Sequence, residues 1–250
     1  MYWVGKESSA PPSVDTPCPV PQTGTQRIGL AIVASSRTLD ERLAQLWADR
    51  VVAVVRADSV SDPAGLCEAL RRGGIRTVEF TFTISNIETC LESAVAAAAG
   101  TEMVIGAGTV LTADQAQRAI DLGVRFFVTP CHQPDVAALA NDHGIPLLDG
   151  AMTPSEVHAA HRHGAAAVKI FPAGVVGPKY LKDLHGPFPD IALVPSGGID
   201  ASNAHTYLSH GAAAVTAGTS VVSPTLVAEG RWDEIEARAA HFVASLGQAS

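Results

Sequence analysis

The chain has 250 residues, of which 47% are hydrophobic and 17% charged, and its formal net charge is −8 at pH 7. This length and composition are typical of a soluble globular α/β protein that can bury a full core in one large domain or two small ones. The negative charge argues against nucleic acid and anionic membrane as partners, and no apolar run approaches the roughly 18 residues of a transmembrane helix. Four scattered cysteines without paired spacing indicate free thiols in a reducing cytoplasm rather than a disulfide framework.

The first 37 residues differ in composition from the rest of the chain. Residues 10–25 contain five prolines together with Ser, Thr, Gln and Gly. This composition predicts a disordered N-terminal extension over residues 1–37. Residues 28–34 are apolar, but the segment before them lacks the basic start of a signal peptide. We therefore expect a cytoplasmic protein whose folded domain spans residues 38–250.

From Thr38 onward, short apolar runs alternate with amphipathic helical stretches, and Gly, Pro or Asp separate them. The predicted strands are Val51–Val55, Thr77–Thr81, Met103–Ala107, Phe126–Thr129, Pro146–Leu148, Ala167–Ile170, Ala192–Pro195 and Ala214–Ala217. The predicted helices include Asp62–Arg72, Ile87–Ala99, Thr112–Leu122, Pro134–His143, Pro154–His163, Ser202–His210 and Trp232–Leu246. Helix caps are expected at Thr112, Thr153 and Asp200.

Eight β-then-α units over about 200 residues predict a single-domain (β/α)8 TIM barrel. A doubly wound open sheet is the alternative, but it usually has a Gly-rich dinucleotide turn after its first strand, where this chain has Arg56-Ala57-Asp58. Because a barrel places its active site at the C-terminal ends of the strands, the polar residues at those ends are the candidates for function.

Lys169 lies in the apolar run 165–172, although the chain has only four lysines in all. Burying an ammonium is costly unless the group is paired or neutralised. A desolvated amine can attack a carbonyl and form a Schiff base, which gives such a lysine a catalytic role. The structural alternative is a lysine at a strand end whose head reaches solvent.

Glu79 lies in the apolar run Val78-Glu79-Phe80. It could be a structural partner for a buried cation, or a general acid/base whose desolvated carboxyl moves protons. A buried lysine and glutamate on different strands of one barrel mouth are the pair that Schiff-base chemistry needs.

Two glycine-containing turns follow the last two predicted strands, Ser196-Gly197-Gly198 and Gly218-Thr219-Ser220. Glycine lets backbone amides approach an anion closely, and barrels often bind phosphate with the loops after strands seven and eight. These turns therefore indicate a phosphate site, although a Gly-Gly turn can also be only a tight loop.

Two other groups are weaker candidates. His158, His161 and His163 could share a helix face, but no carboxylate or cysteine lies at ligand spacing, so we expect a solvated surface and no metal site. Cys131 has only its neighbour His132 as a base, and adjacent strand-end side chains diverge, which argues against a cysteine nucleophile.

In combination, these residues resemble the 2-keto-3-deoxy-6-phosphogluconate (KDPG) and 4-hydroxy-2-oxoglutarate (KHG) aldolase family. The resemblance covers about residues 43–224. The similar stretches are Val52-Ala53-Val54-Val55-Arg56, Gly73-Gly74-Ile75, Val78-Glu79-Phe80-Thr81-Phe82-Thr83, Ile105-Gly106-Ala107-Gly108-Thr109-Val110, Met152-Thr153-Pro154-Ser155-Glu156, Val168-Lys169-Ile170-Phe171-Pro172, Val175-Val176-Gly177-Pro178 and Pro195-Ser196-Gly197-Gly198-Ile199.

The resemblance implies a class I aldolase, without metal or cofactor, that cleaves a small 2-keto-4-hydroxy acid, phosphorylated in the KDPG case, to pyruvate and an aldehyde. It implies a homotrimer. Lys169 matches the Schiff-base lysine of the family and Glu79 its general acid/base. The other matches are a pyruvate-carboxylate ligand at Thr109, apolar walls at Pro130 and Phe171, and phosphate-binding turns at Gly197, Gly198 and Thr219; Ser196 and Gly218 flank those turns.

One position departs from part of the family. Some members carry an arginine four residues after the glutamate as a clamp on the pyruvate carboxylate, and this chain has Thr83 there. We infer that Arg56, at the end of the first strand, takes either the carboxylate clamp or the phosphate contact. A phosphate-binding barrel isomerase and a catalytically silent ligand-binding barrel are the alternative functions, and the Lys169–Glu79 pair argues against both.

Overall fold

Eight parallel strands form the sheet of this protein in a computed structural model that describes residues 39–247. The predicted extension at residues 1–37 lies outside the described residues. The strands are β1 (Val51–Val55), β2 (Thr77–Thr81), β3 (Val104–Gly108), β4 (Phe127–Val128), β5 (Leu147–Ala151), β6 (Ala167–Ile170), β7 (Leu193–Pro195) and β8 (Val215–Ala217).

The sheet forms a barrel because its two edge strands, β7 and β8, come together. The strand order is β7-β6-β5-β4-β3-β2-β1-β8, and Val51 of β1 is in register with Val215 of β8. The amide of Ala213, just before β8, donates to the carbonyl of Leu193 in β7 (2.9 Å). This bond brings the two ends of the sheet together, so the predicted (β/α)8 barrel is confirmed and the open doubly wound sheet is wrong.

Helices alternate with the strands around the outside of the barrel. They are α1 (Ala44–Asp49), α2 (Pro63–Arg72), α3 (Ile87–Ala98), α4 (Ala113–Asp121), α5 (Pro134–Asp142), α6 (Pro154–Arg162), α7 (Ala173–Val176), α8 (Lys179–His185), α9 (Ala204–Ser209), α10 (Pro224–Ala228) and α11 (Trp232–Leu246). The last helix packs against α2, α9 and α10. No helix among residues 39–247 combines the length and apolarity needed to cross a membrane.

The helix caps follow the sequence at two of the three predicted positions. The hydroxyls of Thr112 and Thr153 accept from the amides of Gln115 and Glu156, as expected of N-caps. The carboxylate of Asp200 instead accepts from the amide and hydroxyl of Ser202, and α9 begins only at Ala204. Asp200 therefore caps the turn that precedes the helix.

Alternating strand residues divide the core into an outer and an inner cluster. On β1, Val51, Ala53 and Val55 join the outer cluster beneath the helices, whereas Val52 joins the inner one. Leu43 and Leu46, at the start of the barrel domain, pack into the inner cluster and close the N-terminal end of the barrel. The opposite, C-terminal end is where a ligand can enter.

Candidate active site

A cavity of about 560 Å³ lies at the C-terminal ends of the strands. Its lining includes ten of the twelve residues that the sequence analysis singled out: Arg56, Thr109, Pro130, Lys169, Phe171, Ser196, Gly197, Gly198, Gly218 and Thr219. Glu79 lies below this lining and contacts Lys169, and Thr83 lies beside it and contacts Arg56. The structure therefore brings the predicted residues together at one site.

Five further residues line the cavity: Ser220 lies in the second predicted phosphate turn, and Val54, Ile199, Asp200 and Thr216 were not predicted to bind substrate. Val54 and Thr216 are two residues before Arg56 and Gly218 on β1 and β8. Because side chains alternate along a strand, these positions face the same side as the residues at the strand ends. The period-two pattern could therefore have identified both.

Lys169 and Glu79 form the buried centre of the site. Their side chains are 5% and 1% exposed, and the Lys169 Nζ lies 3.6 Å from the Glu79 Oε1. This distance is too long for a good hydrogen bond, so the contact is mainly electrostatic. The lysine is held inside the barrel beside a carboxylate, and its head does not reach solvent as the structural alternative would require.

The Glu79 carboxylate is left without hydrogen bonds by the rest of the described chain. Neither of its oxygens has a hydrogen-bond partner among residues 39–247. A β-carbon at Gly108 would lie only 2.9 Å from the Glu79 Cδ, so the glycine makes room for this carboxylate. Buried carboxylates normally accept several hydrogen bonds, and one that accepts none remains open to a proton or a substrate group.

Arg56 is fixed by two threonines at the end of β2 and β3. Its Nη2 donates to the Thr109 hydroxyl (3.1 Å) and its Nη1 to the Thr83 hydroxyl (3.4 Å). The Thr83 hydroxyl also pairs with that of Thr81 (2.8 Å), which donates to the carbonyl of Val55 (3.1 Å). Thr83 thus orients the guanidinium from the position where some family members carry an arginine.

Thr109 has a backbone conformation that is unfavourable for its side chain. Its φ is +55°, in the left-handed region, where a β-branched residue is an outlier. Such strain costs about 1–3 kcal/mol and is concentrated at functional sites. The conformation places the Thr109 side chain in the cavity lining beside Arg56.

The turn after β7 consists of two glycines with left-handed backbones. Gly197 and Gly198 have φ of +88° and +78°, which side chains rarely adopt. A β-carbon at Gly198 would lie 3.2 Å from the Gly174 Cα, and the Gly174 amide donates to the Gly197 carbonyl (2.9 Å). Only glycine suits this turn, and its exposed amides can approach an anion as the sequence analysis expected.

Apolar side chains form the remaining wall. Phe171 is 38% exposed, and its ring centroid lies 5.6 Å from the Lys169 Nζ. Pro130 completes the lining from the end of β4. Pro130 and Phe171 together form an apolar wall beside the Lys169 amine.

The histidine cluster and the cysteines have other environments. Within the described part of the chain, no three His, Cys, Asp or Glu side chains are grouped to hold a metal ion. His158 stacks on Phe188 (5.8 Å between ring centroids). The Nδ1 of His132 pairs with the Asp149 carboxylate rather than with Cys131. Burial raises the pKa of the Cys67 thiol to about 12, which keeps this thiol protonated and unreactive.

Known proteins are similar to this chain in both sequence and fold. A 2-dehydro-3-deoxy-phosphogluconate aldolase of Treponema pallidum (strain Nichols) is 34% identical over 192 residues, which cover 75% of this chain and 89% of that protein. A probable 2-dehydro-3-deoxy-6-phosphogalactonate aldolase of Rhizobium meliloti (strain 1021) is 33% identical and covers 71% and 84%.

A solved KDPG aldolase of Legionella pneumophila, with pyruvate captured as a covalent carbinolamine intermediate, superposes with a TM-score of 0.74. It is 29% identical, and the match covers 80% of this chain and 96% of that one. The family model of KDPG and KHG aldolases matches residues 42–238, nearly the whole barrel. The family match and the sequence relatives agree with a barrel mouth built around a buried lysine. The chain therefore belongs to the KDPG and KHG aldolase family.

Proposed function

We propose that this aldolase cleaves a 2-keto-3-deoxy-6-phospho sugar acid to pyruvate and glyceraldehyde 3-phosphate, with Lys169 as its Schiff-base residue and Glu79 as its general acid/base. The observation that carries this proposal is the buried amine 3.6 Å from a carboxylate that accepts no hydrogen bond within residues 39–247. 4-Hydroxy-2-oxoglutarate, cleaved to pyruvate and glyoxylate, is a second candidate substrate, because the family name includes it.

The reaction follows from the positions of these two groups. The Lys169 amine attacks the C2 ketone of the substrate, and the carbinolamine loses water to form an iminium. The C3–C4 bond then breaks, its electron pair moves into the iminium to form an enamine, and Glu79 takes the proton of the C4 hydroxyl as the aldehyde leaves. Glu79 returns that proton to C3, and water hydrolyses the resulting pyruvate imine and frees the lysine.

We assign the two ends of the substrate to different groups of residues in the cavity. Arg56 and Thr109 lie together, and a guanidinium with a nearby hydroxyl suits the pyruvyl carboxylate. The phosphate then binds at the glycine turns, to Gly197, Gly198 and Thr219, with Ser196, Gly218 and Ser220 beside them. In this arrangement Thr83 acts on the carboxylate end through Arg56, while Pro130 and Phe171 contact the pyruvyl group.

Trapping with pyruvate and borohydride tests the assignment of the lysine. Reduction of the imine should add one pyruvate-derived group per chain, and peptide mapping should place it on Lys169 rather than on the exposed Lys179 or Lys182. The adduct should form equally in a strong chelator. Lys169→Met is the matched variant and should abolish trapping while the barrel stays folded. Pyruvate formation with an unmodified Lys169 would overturn the Schiff-base assignment.

We also propose that the enzyme is a cytoplasmic homotrimer. Among the described residues outside the cavity lining, the exposed large apolar side chains are Leu111 and Val175, which follow the ends of β3 and β6 and are candidates for burial between subunits. The buried free thiols of Cys67 and Cys90 suit a reducing compartment. Light scattering after gel filtration should give three times the monomer mass of 25.8 kDa.

A further inference from the structure

Asp149 is a completely buried carboxylate that the proposed reaction does not use. It lies on β5, next to Gly150, and its side chain points away from the cavity toward the outer layer of the barrel. A buried carboxylate requires compensating partners, and its partners here all come from the end of β4. Those partners connect Asp149 to the cavity wall.

Within residues 39–247, Thr129 and His132 are the two hydrogen-bonding partners of the Asp149 carboxylate. The Thr129 hydroxyl donates to the Asp149 Oδ1 (2.6 Å), and the same hydroxyl accepts from the Gly150 amide (2.9 Å). The His132 Nδ1 pairs with the other oxygen, Oδ2, while its buried Nε2 has no partner within residues 39–247. The imidazole is therefore held by the carboxylate and also packs against the tilted ring of His163, with 4.7 Å between ring centroids.

This cluster fastens β4 to β5 where the regular strand pairing stops. The paired residues of the two strands end at Val128 and Leu148, and the Gly150 amide then bonds to a side chain instead of a backbone carbonyl. Between Thr129 and His132 the chain turns and presents Pro130 to the cavity. Both ends of this turn are thus attached to the same carboxylate.

The turn also lies against β5, the strand next to the one that carries the lysine. A β-carbon at Gly150 would lie 2.2 Å from the Pro130 carbonyl carbon, so the two backbones are in direct contact. Gly150 is in register with Lys169 on β6. A shift of the turn would therefore move the apolar wall relative to the reacting amine.

We propose that Asp149 is a positioning residue that holds Pro130 at the correct distance from Lys169, acting through Thr129 and His132. This inference rests on the proposed function. Its chemical basis is that a carboxylate accepts from both partners at once, whereas an amide in its place offers one acceptor and one donor and keeps both bonds only if the His132 Nδ1 becomes an acceptor. Displacing a substrate-positioning wall by about 1 Å can lower a rate by about 100-fold.

The test compares two aspartates that receive the same isosteric substitution. Asp149→Asn should slow pyruvate trapping by borohydride and reduce kcat/KM for cleavage by about 10- to 100-fold at a temperature where the variant is folded. Asp49→Asn is the control, since the Asp49 side chain is also buried (5% exposed) but lies at the N-terminal end of the barrel, paired with Arg76. This control should keep trapping and kcat/KM within about twofold of wild type.

A second pair of variants decides the question if Asp149→Asn does not fold. Thr129→Ser retains the hydroxyl and should trap pyruvate like wild type, whereas Thr129→Val removes it and should reproduce the 10- to 100-fold loss. Combining Asp149→Asn or Thr129→Val with Pro130→Ala should cost less than the sum of the single effects if the cluster acts through Pro130.

The outcomes separate this inference from the proposed function. Wild-type protein that forms pyruvate without trapping it overturns both. Trapping by wild type together with unchanged kinetics in Thr129→Val and in folded Asp149→Asn overturns the positioning role alone. Fully additive effects with Pro130→Ala would also overturn it, because the cluster would then act by another route.

Discussion

Two buried carboxylates at opposite ends of the barrel have opposite surroundings. Asp49, at the N-terminal end, accepts from the Arg76 Nε (3.0 Å), the Arg76 Nη2 and the Gln45 Nε2 (3.0 Å). Glu79, at the C-terminal end, accepts nothing within residues 39–247 and has only the Lys169 ammonium at 3.6 Å. A buried carboxylate thus accepts several hydrogen bonds at the closed end of the barrel, and accepts none from the described residues at the end where a substrate enters.

The difference separates a stabilising interaction from a reactive one. Hydrogen bonds to Asp49 and Glu102 raise the pKa of Arg76, so its guanidinium stays charged. An unsatisfied buried carboxylate lowers stability, and proteins keep such groups mainly at functional sites. We therefore expect substitutions at the mouth to change catalysis and those at the closed end to change stability.

The largest effect should come from Glu79→Gln. The amide cannot exchange protons with the C4 hydroxyl or C3, so kcat should fall by about 10²–10⁴-fold, the usual worth of a general acid/base. The change removes the desolvation cost of one buried charge but also takes the carboxylate away from Lys169, so we expect the free energy of unfolding to change little. Steady-state kinetics and thermal unfolding of the same preparation check both parts. Wild-type turnover would remove Glu79 from the mechanism.

Arg56→Ala should have a smaller effect on catalysis. Loss of a charge-assisted bond of about 1.5–3 kcal/mol should raise KM for the substrate, and the dissociation constant for pyruvate, by about 10- to 100-fold. Arg56→Lys retains the charge without the planar guanidinium fork, so its KM should lie between those of wild type and Arg56→Ala. A loss confined to phosphorylated substrate, with pyruvate binding unchanged, would move Arg56 to the phosphate end.

Much of this site could be predicted because strands place their C-terminal residues at one edge. Lys169, Glu79 and Arg56 were identified as polar or charged residues within or just after apolar runs, and β1, β2 and β6 have the predicted bounds. The prediction for β5 was too short, because Asp149-Gly150 is typical of a turn. In the structure, pairing with β6 continues through Ala151, and the side chains of the β4 end satisfy Asp149.

Hydrogen bonds between residues far apart in the sequence could not be predicted. Thr129 and Asp149 are 20 residues apart, and neither local spacing nor propensity indicates that they bond. The short elements α1, α7 and α10 were also not predicted, because helices of four to six residues carry little periodicity. Tertiary contacts decide both features, as they do for Leu43 and Leu46 at the closed end of the barrel.

Asp49→Asn should have the smallest effect on catalysis and should test the closed end directly. The change keeps the shape of the side chain but weakens its bonds to Arg76, whose own side chain is 32% exposed and can be partly rehydrated. We expect a loss of about 1–3 kcal/mol in the free energy of unfolding from urea titration, with an unchanged m-value.

Arg76→Met should lower the free energy of unfolding by at least as much, because it leaves the Asp49 carboxylate buried without its cation. The kcat and KM of the folded enzyme should stay the same in both variants, since Asp49 and Arg76 lie at the end of the barrel away from the cavity. A fall in kcat without a loss of stability would mean that the two ends of the barrel are coupled, and would contradict the division between a stabilising end and a reactive one.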